Sequence, residues 1–306
     1  MTFSLEVKQE LAKQLPKARH CGIAELSAIL FFFGSVRTEE GKKRLVISCE
    51  QEMIARKCFT LIEKTFNISV GVQKSDRYFH LEVADKELSE EVLLALKMAE
   101  ISNAECSEAG HVNSVLLKST CCKRAFLRGC FLCCGSISDP AKGYHLEFVC
   151  QKESLANQIA GYLNDFEIAG KIVQRKKYYV VYLKEGSAIA ELLNVLGAHV
   201  AMMNLENTRI LHEIAGETNR RVNCETANLL KSVNAANAQV EAIEHIAKTV
   251  GLEALPVSLQ EIAYVRLEHE DASLKELGEF LSPPVGKSGV NHRLRKIQEY
   301  ADKLKG

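Results

Sequence analysis

The 306-residue sequence has no tryptophan, 5 prolines and 7% aromatic residues, and no excess of charge, since 39 Lys and Arg balance 39 Asp and Glu. That balance excludes a uniformly basic nucleic-acid coat and an acidic solvating tail, so any anion-binding surface must be local. No apolar run approaches the roughly 18 residues a membrane helix needs. The start MTFSLEVKQELAKQLPKARHC has no secretory hydrophobic stretch. These absences point to a cytosolic protein with no membrane partner. With 47% apolar and 25% charged residues and 18 glycines, the composition is that of a folded globular protein. Its length suggests several domains. The 11 cysteines are odd in number and unevenly spaced, which argues against a disulfide framework and for a reducing compartment. There is no Gly-rich phosphate loop, nucleophile elbow or H-E-x-x-H spacing, so no catalytic constellation and no cofactor are expected.

What is present is a repeat. ELSAILFFFGSV (25–36) and FLRGCFLCCGSI (126–137) place Gly34-Ser35-Val36 and Gly135-Ser136-Ile137 101 positions apart. Cys49 matches Cys150 and Ala55 matches Ala156 at the same offset, and Phe66 and Ile68 match Phe166 and Ile168 at 100. Each copy reads as an apolar helix ending at a glycine, a β-type run (Leu45 to Ser48, Leu146 to Val149) and an amphipathic helix (Met53 to Phe66, Leu155 to Phe166). A second strand pair follows, clearest in KIVQRKKYYVVYLK. The pattern predicts an α+β unit occurring twice about a pseudo-two-fold axis, with the two apolar helices facing each other. Phe32 is expected to pack against Gly129 or Cys133.

Residues 206–255 then contain an Ala-rich helical stretch that stops at Gly251, and the last fifty residues have start signals of their own. Ser273 and Glu276 form a capping box for a short helix in which Leu274, Leu277 and Leu281 recur. Gly278 inside it suggests close approach by another helix. Pro283-Pro284 ends that helix, and Ser288 is expected to cap the next, with Val290, Leu294 and Ile297 inward. The outward face is Gly289, Asn291, His292, Arg293, Arg295 and Lys296. Residues 256–282 carry a net charge of minus four and 283–306 plus four, so overall neutrality hides a dipolar module. A basic helix N-terminus with Lys287, Ser288 and Asn291 suits a major-groove reader. Lys and Arg take phosphates, while Asn and Arg can pair with base edges.

With both glycine-terminated helices in view, LSAILFFFGS and LRGCFLCCGS resemble two copies of the LAGLIDADG motif of homing endonucleases. Together with NRRVNCETANL and LKELGEFLSPPVGKSGVNHRLRKI, they make the chain resemble the bacterial WhiA regulator family along essentially its full length. The resemblance implies a fold of α+β class, a duplicated LAGLIDADG homing-endonuclease-like domain followed by an all-α helix-turn-helix domain. The boundaries expected are 1–110 and 111–222 for the repeats, 223–255 for a helical connector and 256–306 for the helix-turn-helix. It also implies transcription regulation, with roles in cell division, chromosome segregation or sporulation.

In the endonucleases each motif has an acidic residue before its final glycine, and the pair holds Mg²⁺. Aligned on Gly34 and Gly135, those positions are Phe33 and Cys134, neither of which offers an oxygen to a hard cation. Asp139 has no acidic counterpart in the first repeat. A DNA-binding regulator with a dead nuclease scaffold is therefore the main reading. The alternatives are a metal-dependent endonuclease and a protein-interaction scaffold, with a partner docked on the platform. Arg175, Lys176 and Lys177 beside Tyr178 and Tyr179 are a secondary DNA-contact candidate, although a hairpin turn with exposed lysines explains them more simply. Cys121 and Cys122 with Cys130, Cys133 and Cys134 have zinc-like spacing. Cys130 and Cys133 fall within the apolar helix, however, where packing accounts for them, and no metal site is expected. The expected location is the cytoplasm, in association with the nucleoid.

Overall fold

A computed structural model of the chain describes residues 2–39, 41–83 and 85–305. It divides into two compact units, residues 1–212 and 213–306. The first holds both repeats. Helix α1 (Phe3–Lys13) precedes α2 (Arg19–Phe33), β1 (Gly34–Glu39), β2 (Lys42–Cys49), α3 (Glu52–Phe66), β3 (Gly71–Ser75), β4 (Tyr78–Glu82) and α4 (Lys86–Ala95). A short β5 (Ala104–Glu105) leads to the second copy: α5 (Thr120–Cys134), β6 (Gly135–Ile137), β7 (Leu146–Cys150), α6 (Glu153–Asn164), β8 (Lys171–Arg175), β9 (Tyr178–Leu183) and α7 (Gly186–Leu196).

The duplication is visible in the sheets. The first runs β3-β4-β2-β1-β5 and the second β8-β9-β7-β6, so the two share one strand order apart from the added β5. All the strand pairs are antiparallel, and Gly34 and Gly135 each open a first strand opposite Ile47 and Phe148. The apolar alternation of β7, with Leu146, Phe148 and Cys150 buried, turns one face of that sheet onto α5 and α6.

Helix α2 is apolar all round because it serves two cores. Leu26, Ile29 and Leu30 pack over the first sheet, while Cys21, Ala24, Ala28 and Phe31 join the core of the second repeat. The two central helices face each other, as the repeat suggests, and at Gly129 the facing residue is Ala28, not Phe32. Gly129 lies against Ala28 and the Glu25 carbonyl, where a β-carbon would approach each to 2.8 Å. Small residues at the crossing let the backbones come close, and Phe32 stays half-buried at the edge.

The crossing also carries a buried ionic cluster. Glu25 Oε1 accepts from Lys57 Nζ at 2.6 Å and Arg128 Nε at 3.1 Å, and Glu25 and Lys57 are fully buried. Lys57 donates further to the carbonyls of Leu11 and Gln14, and Arg128 to Gln14 Oε1 and the Leu196 carbonyl. Gln14 also donates to the Gly197 carbonyl. One carboxylate thus ties together α1, both repeats and the end of α7. Burial pushes the Lys57 pKa down, and Glu25 opposes that shift.

Helix α8 (His199–Thr249) begins in this unit, where Glu10 accepts the Val200 and Ala201 amides at 2.9 and 3.0 Å. It is helical well before residue 206. In the second unit its closing turns supply Ala242, Ile243 and Ile246 to a core completed by α9 (Val257–Glu268), α10 (Leu274–Glu279) and α11 (Lys287–Lys305). The stretch 223–255 read as a connector therefore contributes to the core of the C-terminal module. Among the described residues no helix is long and apolar enough to cross a membrane.

Candidate nucleic-acid interface

The C-terminal module is built from its caps inward. Ser273 Oγ accepts the Glu276 amide and Glu276 Oε2 accepts the Ser273 amide at 2.8 Å, the reciprocal capping box that the spacing predicts. The bond from the Ser273 backbone holds the exposed Glu276 carboxyl below the usual glutamate range. Upstream, Arg266 is buried and donates to the carbonyls of Glu270 and Ala272 at 3.1 and 2.7 Å, fixing the turn between α9 and α10. Burial lowers its pKa.

Gly278 is required by a close approach, but of a turn and not of a helix. A β-carbon there would fall 2.0 Å from the Val285 carbonyl, and the Val285 amide donates to the Gly278 carbonyl at 2.9 Å. This contact folds the Pro283-Pro284 loop back onto α10 and sets where α11 starts. That start is Lys287, with the Val290 amide bonded to the Gly286 carbonyl. Ser288 therefore lies inside the first turn of α11 and is not its cap.

Val290, Leu294 and Ile297 are buried as expected, and Ala301 extends the inward stripe. Lys287, Ser288, Asn291, His292, Arg295 and Lys296 are exposed, so the N-terminal half of α11 presents a basic and amide-bearing surface. Two expected members differ. Gly289 is half-buried beneath Val285. Arg293 is turned back toward α9, with Nη1 3.4 Å from the Ser258 carbonyl and 3.9 Å from Glu261 Oε2. It braces α9 against α11. Arg295 makes an exposed bond to Glu299 at 3.2 Å, a weak tether one turn along the helix. The segment 219–228 lies on an exposed part of α8.

In the first unit, Phe33 and Cys134 are the last residues of α2 and α5 and sit half-buried directly before Gly34 and Gly135. Burial raises the Cys134 pKa well above the usual thiol value. Lys8 of α1 lines the same cleft as Gly135 and Ser136 and lies within electrostatic reach of Cys133 and Cys134. Burial lowers the Lys8 pKa. The last residues of the two helices are thus an aromatic ring and a thiol, neither of which supplies the carboxylate oxygen a hard divalent cation requires, while Glu52 lines the same cleft as Lys8. Asp139 is exposed and accepts the Ala141 amide at 3.0 Å, which gives it a turn-forming role.

Two arginines of the sheets are held against glutamates. Arg44 pairs with Glu82 at 2.6 Å and Glu39 at 3.5 Å, while Glu147 takes both His145 at 3.0 Å and Arg175 at 3.1 Å. Lys176, with φ of 55°, and Lys177 form the turn of the β8–β9 hairpin, and Lys177 reaches over the Tyr178 ring. The basic run Arg175 to Lys177 thus lies at the end of β8 and in this turn.

Comparison with known proteins agrees with this architecture. Residues 19–77 match the WhiA N-terminal LAGLIDADG-like domain, 123–215 the WhiA LAGLIDADG-like domain and 218–301 the WhiA C-terminal HTH domain. The chain is 45% identical over 312 residues to a protein named "Probable cell division protein WhiA" from Lachnoclostridium phytofermentans, covering 100% of both chains. It is 46% identical over 313 residues to a protein of the same name from Alkaliphilus oremlandii, covering 99% of this chain and 98% of that one. Among solved structures, full-length DUF199/WhiA from Thermatoga maritima is similar with a TM-score of 0.57 at 26% identity, covering 99% of each chain.

Proposed function

The chain belongs to the WhiA family, and on that premise we propose that it is a regulator that binds double-stranded DNA through the exposed N-terminal half of α11. The observation that carries the reading is the surface of that helix. Ser288, Asn291, His292 and Arg295 recur at helical spacing on a module whose apolar stripe is fully used in its own core. Lys287 and Lys296 add phosphate contacts at the flanks. Base reading falls to Asn291 and Arg295, whose donors suit adenine and guanine edges. Arg293 and Gly289 support the helix from behind.

The LAGLIDADG-like platform is read as a scaffold without nuclease activity. Phe33 and Cys134 supply no oxygen where the motif's carboxylates would stand, and Lys8 brings a competing positive charge. Its sheets, with Arg44 and Arg175 held by glutamates, attract phosphates weakly, so Lys176 and Lys177 are at most auxiliary contacts. The platform is then free to dock a protein partner. Relatives named as probable cell division proteins support a role in division; chromosome segregation or sporulation, and a cytoplasmic place at the nucleoid, belong to the same proposal through the DNA binding of α11.

The test uses the full chain. Duplex binding measured by fluorescence anisotropy should weaken on Arg295→Ala by about 1 to 3 kcal/mol for a preferred site. Supercoiled plasmid should stay intact with Mg²⁺ or Mn²⁺. Nicking that disappears in Asp139→Asn would restore the enzyme reading, and unchanged binding in Arg295→Ala would remove α11 from the interface.

A further inference from the structure

Away from Gly34 and Gly135, at the opposite ends of the paired central helices, four side chains of metal-binding type converge. The ligand atoms of His20, Cys21, Cys121 and Cys122 all lie within 4.8 Å of one another. His20 Nδ1 stands 3.1 Å from Cys122 Sγ and 3.4 Å from Cys21 Sγ. The group consists of two adjacent pairs related by the repeat, because His20 matches Cys121 and Cys21 matches Cys122 at the offset of 101 that relates Gly34 to Gly135. Each pair occupies the second and third positions of its helix. The pseudo-two-fold packing that brings Ala28 onto Gly129 therefore brings the pairs together.

We propose that His20, Cys21, Cys121 and Cys122 form a structural zinc site that clamps the N-terminal ends of α2 and α5. Three sulfurs and one imidazole nitrogen complete a closed tetrahedral set, and the absence of an oxygen donor selects against magnesium and calcium. Tetrahedral coordination at usual zinc–ligand lengths separates donors by about 3.5 to 3.8 Å, so closure requires adjustments of about 1 Å. Three thiolates around a dication leave one net negative charge. Two helix N-termini receive it, and the N-cap residues of both, Ala18 and Ser119, make no side-chain bond to the first-turn amides. The buried Cys21 and Cys122 anchor the site, and the exposed His20 and Cys121 close its outer side.

This location is distinct from the helix ends where a nuclease would hold its metals. Each 15-residue helix is about 20 Å long, which places the cluster at the far side of the unit from Phe33 and Cys134. A clamp there joins repeat to repeat. The inference stands whatever the role of α11.

The test is metal analysis of the untagged, full-length protein purified without chelator. The proposal expects about one zinc per chain. Exchange with Co²⁺ should give thiolate-to-cobalt charge-transfer bands and the intense visible bands of a tetrahedral site. Cys121→Ser, at an exposed position where packing is not at stake, should lose both the zinc and the cobalt spectrum, while Cys224→Ser should keep them. Chelation should lower the melting temperature of the wild-type protein and leave that of Cys121→Ser unchanged. Three results would overturn the site: a wild-type protein without zinc that gives no tetrahedral cobalt spectrum, a disulfide among these cysteines in the protein as isolated, or full zinc retention in Cys121→Ser.

Discussion

Ala28 and Gly129 are the same position of two repeats, 101 residues apart in sequence, and they meet where α2 crosses α5: a β-carbon on Gly129 would lie 2.8 Å from that of Ala28. Gly129→Leu should destabilise the protein by about 1 to 3 kcal/mol through overpacking. Chemical denaturation followed by far-ultraviolet circular dichroism checks this. An unchanged midpoint would mean that the crossing tolerates bulk, against the geometry described.

Among the described residues the carboxylate of Glu25 is satisfied by Lys57 and Arg128, and its second oxygen has no partner. Lys57→Met should cost about 3 to 5 kcal/mol, because it leaves a buried negative charge half-compensated. Adding Glu25→Gln to the same chain should recover part of that loss. A double variant less stable than Lys57→Met would contradict the role given to the ion pair.

The capping box of α10 is a local test of the C-terminal module. Ser273→Ala should cost about 1 kcal/mol. Because the folded Glu276 pKa is depressed, the stability it contributes is fully present above the ordinary glutamate value and is lost as pH falls through the lower folded value. Melting curves across the acidic range should show this decline in the wild type and a smaller one in Glu276→Gln. Parallel curves would separate the box from acid sensitivity.

Much of this was legible in the sequence because duplication and periodicity are local signals. The glycine-terminated helices, the β-type runs that follow them and the stripe of Val290, Leu294 and Ile297 follow from spacing alone. What escaped depends on how distant backbones meet. Arg293 has the periodicity of an outward residue, yet a half-buried flank next to Ser258 draws it onto α9. Ser288 has the chemistry of a cap, but the Val285 turn on Gly278 starts the helix at Lys287. In sequence Cys121 and Cys122 group with the cysteines of their own helix, whereas in the fold they meet His20 and Cys21. A signal existed, since both pairs fall at matched positions of the repeat, but it is visible only when unlike residues are compared across the offset.

The central claim is that α11 reads sequence, and the most direct measurement is selection of bound duplexes from a randomised pool by the full chain and by Asn291→Ala, with both sets sequenced. The account predicts that the wild type enriches a defined pattern. Asn291→Ala should lose discrimination at one base position, by about 1 to 3 kcal/mol, while retaining the others. Enrichment profiles that are identical, or a loss spread equally over every sequence, would contradict it.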